Sequence, residues 1–381
     1  MIRYIDGAMK RKKPRPPRRP SGELIAEALA LQEQGALAEA EQRYRELLGH
    51  EPGHHAAMNL LAMILLERSD AAAALPLIAR AIALAPDIAW YHLNLGHAYA
   101  ATGRDDRAAA AMATSARLDP ASPIPCYDLA RHHLRRGRPG DALSALRRVL
   151  ERDPAHARAR FLIASLTGGH IDTAPPDYVT ELFDSYAPGF EAHLVNVLGY
   201  QVPAQLAALV AAAGEPPRAW HVIDVGCGSG LGGAAFRGVA RHLVGSDLSP
   251  RMVEIARRRG VYDELHVEDL TATLDRARGD ADLVIAADVF IYVGALDAAF
   301  RAAAGALRPG GLLALSTERG DGDGFRLQPS SRYAHGDGYV RGLAHRHGFA
   351  VRMTRSTVLR SDHTGPVAGV LYLLAAGSPP A

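Results

Sequence analysis

Small and apolar residues recur through the first 154 positions of the chain with a fixed step of 34. Pro52, Pro86, Pro120 and Pro154 share one register. Gly35, Ser69, Gly103 and Gly137 share a second, and Ala40, Ala74, Ala108 and Ala142 a third. Leu61, Leu65, Leu95, Tyr99 and Leu129 add an apolar face. The pattern predicts paired helices, with glycine (or Ser69) turning the chain within a pair and alanine where the helices approach. Proline, which lacks an N–H, stops the second helix before the next unit. Four such units over 21–154, sealed by a helix near 157–166, form a solenoid rather than an irregular bundle.

Further on the period changes. Short apolar runs end four times on an acid: Val222–Val225 around Asp224, His242–Asp247, Leu265–Asp269 and Asp282–Asp288. These read as buried parallel strands. The first breaks into Gly226, Gly228 and Gly230, a strand turning into a helix through residues that let a ligand approach the backbone. The acids then fall on one rim, where open α/β sheets bind ligands. Each acid alone also reads as a helix cap or a solvated strand end.

Asp224-Val-Gly-Cys-Gly-Ser-Gly230, Gly245-Ser-Asp247-Leu-Ser-Pro250 and Leu307-Arg-Pro-Gly-Gly311 together resemble a class I S-adenosylmethionine-dependent methyltransferase over roughly 177–376. The repeats resemble a tetratricopeptide array, and the whole resembles bacterial methyltransferases fused to such repeats. The methyltransferase resemblance implies a Rossmann-like α/β sheet of seven strands, with the late run Gly369–Ala375 inserted antiparallel. It implies that Asp224, Gly226, Cys227, Gly228 and Gly230 cradle the methionine part of S-adenosylmethionine. Asp247 with Leu248 would hold the ribose side, Asp269 with Leu270 the adenine, and Asp288 would lie beside the methionine end. The alternative is a nicotinamide dehydrogenase, which shares a similar turn. The Gly-x-Gly-x-Gly spacing and the late strand argue against it.

Composition fits two ordered domains. The chain has 381 residues, 48% hydrophobic and 22% charged, and exceeds what one core usually covers. No apolar run approaches the roughly 18 residues of a membrane span, so no membrane is expected. The formal charge of +2 is unevenly spread: residues 1–20 hold eight basic groups against Asp6, and the rest is net acidic. That tail is expected to be solvated rather than bound to nucleic acid, and it has no secretory apolar core. Cys126 and Cys227 are too few for a disulfide framework, which suits a cytoplasmic protein, and the 17 histidines suggest no metal site. The expected organisation is a tail over 1–20, a solenoid over 21–168, a linker over 169–176 and a methyltransferase domain over 177–381.

A sulfonium methyl is already activated, so aligning the acceptor is the main task, and a base is needed only where the acceptor must lose a proton. Tyr186, in an aromatic stretch expected to act as a lid, is a candidate for the cofactor side. The polar loop expected over 318–339 offers Arg332, Tyr333, His335 and Tyr339, and Tyr292 follows strand four. His335 is the candidate general base, with Tyr333 and Asp288 as further catalytic candidates; a helix-capping role for His335 stands beside this. Arg332, Tyr292 and Tyr339 are candidates for holding the acceptor. Three functions remain: a methyltransferase whose repeats gather a peptide or protein, one acting on a small molecule with repeats for dimerisation, and a non-catalytic scaffold.

Overall fold

The computed structural model describes residues 19–187, 189–214, 219–362 and 365–377; all but the last two positions of the basic tail lie outside them. The described chain divides into two compact units after Pro154. The first is four helix pairs: α1 (Ser21–Glu33) with α2 (Leu37–His50), α3 (His55–Glu67) with α4 (Ala71–Leu84), α5 (Ala89–Ala101) with α6 (Asp105–Leu118), and α7 (Ile124–Arg135) with α8 (Pro139–Arg152). Each pair turns on a left-handed residue, Gly35, Ser69, Gly103 or Gly137, with φ of 76, 63, 71 and 66°. One backbone bond closes every turn. The N–H groups of Ala36, Asp70, Arg104 and Arg138 donate to the carbonyls five residues back, at 2.8 to 2.9 Å. Ala40, Ala74, Ala108 and Ala142 are fully buried.

Ser69 alone among these turn residues carries a Cβ into the left-handed region. Ser69→Gly is expected to stabilise the unit by about 0.5–1 kcal/mol, because the strain it relieves exceeds the added freedom of the unfolded chain. A thermal midpoint that stays put or falls would count against this.

The second unit begins with α9 (Ala157–Thr167), the helix expected to cap the solenoid. Its Phe161 ring packs at a tilt against Tyr178, 4.8 Å between centroids, and Ser165 Oγ donates to the Gln328 carbonyl at 2.8 Å, both within this unit. The stretch expected as a linker is strapped down. Ala174 N–H donates to the Tyr292 carbonyl at 3.0 Å, Gly294 N–H to that of Asp172 at 2.9 Å, and Tyr333 Oη to that of Ile171 at 2.9 Å. Then follow α10 (Pro176–Tyr186), a π-helical turn (Ala192–Val197) and α11 (Val202–Ala212).

Beyond these the chain alternates β1 (Trp220–Val225), α12 (Leu231–Phe236), β2 (Ala240–Asp247), α13 (Pro250–Arg259), β3 (Glu264–Val267), α14 (Leu270–Ala277), β4 (Ala281–Ala286), α15 (Asp297–Ala306) and β5 (Leu307–Arg319). It closes with β6 (Phe325–Leu327), β7 (Tyr333–His335), α16 (Asp337–Arg346), β8 (Phe349–Asp362) and β9 (Gly365–Ala376). Strands β3, β2, β1, β4 and β5 run parallel in that order, with β9 antiparallel beside β5 and β8 antiparallel beside β9. The strand order reverses between β1 and β4, which opens a crevice at their C-terminal ends. Leu274, Phe300 and Leu343 cover one face of the sheet, and Leu206, Leu209 and Phe236 the other. The seven expected strands are present as β1–β5, β8 and β9. The described sheet has nine, because β6 and β7 form a hairpin that extends it at Glu318 and Arg319. Eight of the 22 positions expected as a polar loop, 318–339, are therefore strand.

Candidate active site

A cavity of about 310 Å³ occupies that crevice, lined by the glycine turn, the ends of β2 and β4, and the aromatic face of α10. Gly226, Gly228 and Gly230 take φ of 61, 52 and 88°, so the turn is left-handed at each. The three serve different ends. A Cβ on Gly226 would meet Val289 Cγ2 at 2.6 Å, whereas one on Gly228 would meet nothing within 4 Å and would stand in open space. Gly228 is where a ligand can come against the backbone.

Asp247 anchors this turn. Its Oδ2 accepts from Gly228 N–H at 2.9 Å and its Oδ1 from Ser249 N–H at 2.8 Å. Burial pushes its carboxyl upward despite these donors. Asp224, at the end of β1, is 1% exposed, and burial raises its carboxyl to about 7. Cys227 is buried between the two acids; burial, and then the neighbouring Asp224 and Asp247, hold its thiol protonated. Asp269 caps α14, its Oδ1 accepting from Thr271 N–H at 2.8 Å, and also lines the cavity with Leu248 and Leu270.

The far wall is ionic. Asp288 sits in the left-handed region with φ 62° and is held there by its N–H donating to Ser316 Oγ at 2.8 Å. Its Oδ2 accepts from Arg360 Nη1 at 2.6 Å, and the same guanidinium pairs with Glu318. Arg360 is 2% exposed. Glu318 in turn accepts from Gln328 Nε2 at 2.7 Å. Sequence reasoning missed Arg360 and Glu318 as site residues, since nothing in a strand-like run marks one arginine as facing inward.

Of the expected residues, the structure brings Asp224, Gly226, Cys227, Gly228, Asp247, Leu248, Asp269, Leu270, Asp288, Tyr186, Tyr292 and Arg332 to the cavity lining. Gly230, Tyr333, His335 and Tyr339 are not among the lining residues. His335 needs a correction as general base. It is 1% exposed, its Nε2 lies 2.9 Å from the Val293 carbonyl, and burial pushes the ring down to about 4. A buried imidazole spent on a carbonyl fastens β7 to the 290s rather than meeting an acceptor. It does not cap α16 either, because the Gly336 cap carries no side-chain bond. Tyr333 is fully buried with its hydroxyl on Ile171, and Tyr339 Oη accepts from Leu296 N–H at 2.9 Å.

A family model described as a methyltransferase domain matches residues 223–315, and one described as a tetratricopeptide repeat matches 25–89, 64–123 and 127–166. The chain carries tetratricopeptide repeats and a methyltransferase domain. It is 36% identical over 104 residues to a ubiquinone biosynthesis O-methyltransferase of Xanthomonas oryzae pv. oryzae, a match covering 26% of this chain and 42% of that relative. The chain thus spans less than half the length of that relative. Among solved structures it is similar to the magnesium protoporphyrin IX methyltransferase ChlM of Synechocystis PCC 6803 with bound SAH, at 21% identity and a TM-score of 0.42, covering 53% of this chain and 99% of that one. It is also similar to MamA of Desulfovibrio magneticus RS-1, at 23% identity and a TM-score of 0.34, covering 36% and 77%.

The lining of the methyltransferase domain fits S-adenosylmethionine. Carboxylates at 224, 247 and 288 suit ribose hydroxyls and an ammonium, the open face of Gly228 admits a ligand at the backbone, and Leu248 with Leu270 suits a flat base. Among the described residues, no helix is long and apolar enough to cross a membrane.

Proposed function

We propose that this chain transfers a methyl group from S-adenosylmethionine to an acceptor with an apolar body and a polar head. The cavity carries the reading, because one space joins the glycine turn to the aromatic face of α10 and to the polar wall at Tyr292 and Arg332. Asp247 holds the ribose, Asp269 with Leu270 the adenine edge, and Asp224 the amino end. The bound cofactor supplies an activated sulfonium methyl. The chain has to orient the acceptor along the methyl–sulfur axis and exclude water, which Phe183, Tyr186 and Phe190 do from α10 and the turn after it. Arg332 and Tyr292 orient the acceptor's polar head. Asp288, paired with Arg360 at the wall of the cavity, is the group placed to accept a proton where the acceptor gives one up. A small molecule suits this cavity better than a folded protein, and the repeats are free to gather a peptide or protein partner or to support a homodimer.

Calorimetric titration of the full chain with S-adenosylhomocysteine tests the cofactor, and incubation of extract fractions with methyl-labelled cofactor tests the acceptor class. Saturable one-site binding, with label entering small molecules, is the expected result. Absence of binding would sink the enzyme reading, and label found only in protein would move the acceptor to a macromolecule.

A further inference from the structure

Tyr262, between α13 and β3, lies outside the cavity lining yet underlies the cofactor turn. Its Oη donates to Asp224 Oδ2 at 2.6 Å and accepts from Gly233 N–H at 3.0 Å. Its ring fills a slot that three glycines leave. A Cβ on Gly233 would stand 2.3 Å from Tyr262 Cζ, one on Gly245 2.7 Å from Cε1, and one on Gly230 3.1 Å from Cε2. Several glycines of the turn region are therefore spent on admitting a phenol rather than a ligand. A tyrosine brought this close to a buried carboxylate at the cavity floor is a built arrangement, since an unpartnered carboxylate there would simply take up a proton.

We propose that Tyr262 is a positioning residue of the cofactor site, holding the Asp224 carboxylate charged and oriented for a cationic group on the ligand. The inference rests on the cofactor reading above and adds to it a control by pH. Asp224 faces Asp247 from β2, the Cys227 thiol in the turn, the Gly233 N–H on α12 and the Tyr262 hydroxyl; Tyr200, ahead of α11, lies nearby. Burial and Asp247 push the Asp224 carboxyl up to about 7, while Tyr262 and the Gly233 N–H pull it down. The raised value means that the charged form is lost as pH falls through about 7. Affinity for a cationic ligand should fall with it. Removing the Tyr262 hydroxyl moves that loss to higher pH.

The test is the Kd of the full chain for S-adenosylhomocysteine from pH 6 to 9, in wild type, Tyr262→Phe and Asp224→Asn. Phenylalanine keeps the ring in its slot, so the fold is spared. The ratio of variant to wild-type Kd cancels the ligand's own titration. For a one-unit upward move, Tyr262→Phe should weaken binding about fivefold at pH 7 and less than twofold at pH 9. Asp224→Asn should flatten the profile near neutrality. A Tyr262→Phe ratio constant across pH, including loss of binding at every pH, overturns the proposal and leaves Tyr262 structural. So does an Asp224→Asn profile parallel to wild type, which would assign the titration elsewhere. No binding by wild type at any pH would overturn the cofactor reading as well, an outcome distinct from either.

Discussion

Arg360→Met is expected to destabilise the methyltransferase domain by about 3–5 kcal/mol, the largest loss from any single site residue. The cost does not come from the missing side-chain volume, which methionine largely replaces. It comes from the two carboxylates left behind. Asp288 and Glu318 are 12 and 7% exposed at their side chains, and this guanidinium is the cation paired with both. Burial raises Glu318 even with Arg360 in place, and removing that guanidinium takes away the largest opposing charge, leaving Arg332 as the other. The Glu318 carboxyl would then take up a proton on folding, its folded value lying above its unfolded one. The sign follows: the penalty is fully present at neutral pH and shrinks as pH falls toward 5. Adding Asp288→Asn and Glu318→Gln to Arg360→Met removes the unpaired charge and should recover much of the loss. Urea unfolding measures this in a Trp90→Phe background, where Trp220 of β1 remains the sole tryptophan and reports on the second unit. A loss below about 1 kcal/mol, or one that grows on acidification, would mean that the carboxylates reach solvent or other donors.

What could be read in the chain depended on how far apart the cooperating residues lie. The helical repeats were legible because each turn is local: a glycine, or Ser69 in its place, sits in a three-residue loop between the paired helices, and the step of 34 shows that signal four times. The glycine turn was legible for the same reason, with Asp224 two residues ahead of Gly226. Arg360 was not, since its partners Glu318 and Asp288 are 42 and 72 positions away and meet only when β8 folds back beside β9. Tyr262 shows the same limit, 38 positions from Asp224. His335 was misjudged on burial. A histidine in a polar stretch has the chemistry of a base, but the three-residue strands β6 and β7 are too short to betray themselves by alternation, and they carry it into the interior.

Asp247→Ala should weaken S-adenosylhomocysteine binding about a hundredfold, or roughly 2.7 kcal/mol. Two effects combine in that figure. In the proposed site the carboxylate accepts from ribose hydroxyls, and hydrogen bonds to a charged group contribute about 1.5–3 kcal/mol where an uncharged pair contributes about 1. The same carboxylate also fixes the turn. Without it, the N–H groups of Gly228 and Ser249 lose their acceptor, and the backbone at the open face of Gly228 is no longer held ready for the ligand. Asp247→Asn separates the two contributions. It keeps one oxygen for an N–H or a hydroxyl but no charge, and should fall between wild type and alanine. The fold should suffer less than binding does. Burial opposes the Asp247 charge, so its removal relieves a desolvation cost that partly offsets the two lost bonds. Calorimetry at pH 8 with thermal unfolding on the same samples reads both. An alanine variant that binds within threefold of wild type would remove Asp247 from the cofactor. One that binds weakly only because it is unfolded would assign it to the turn alone.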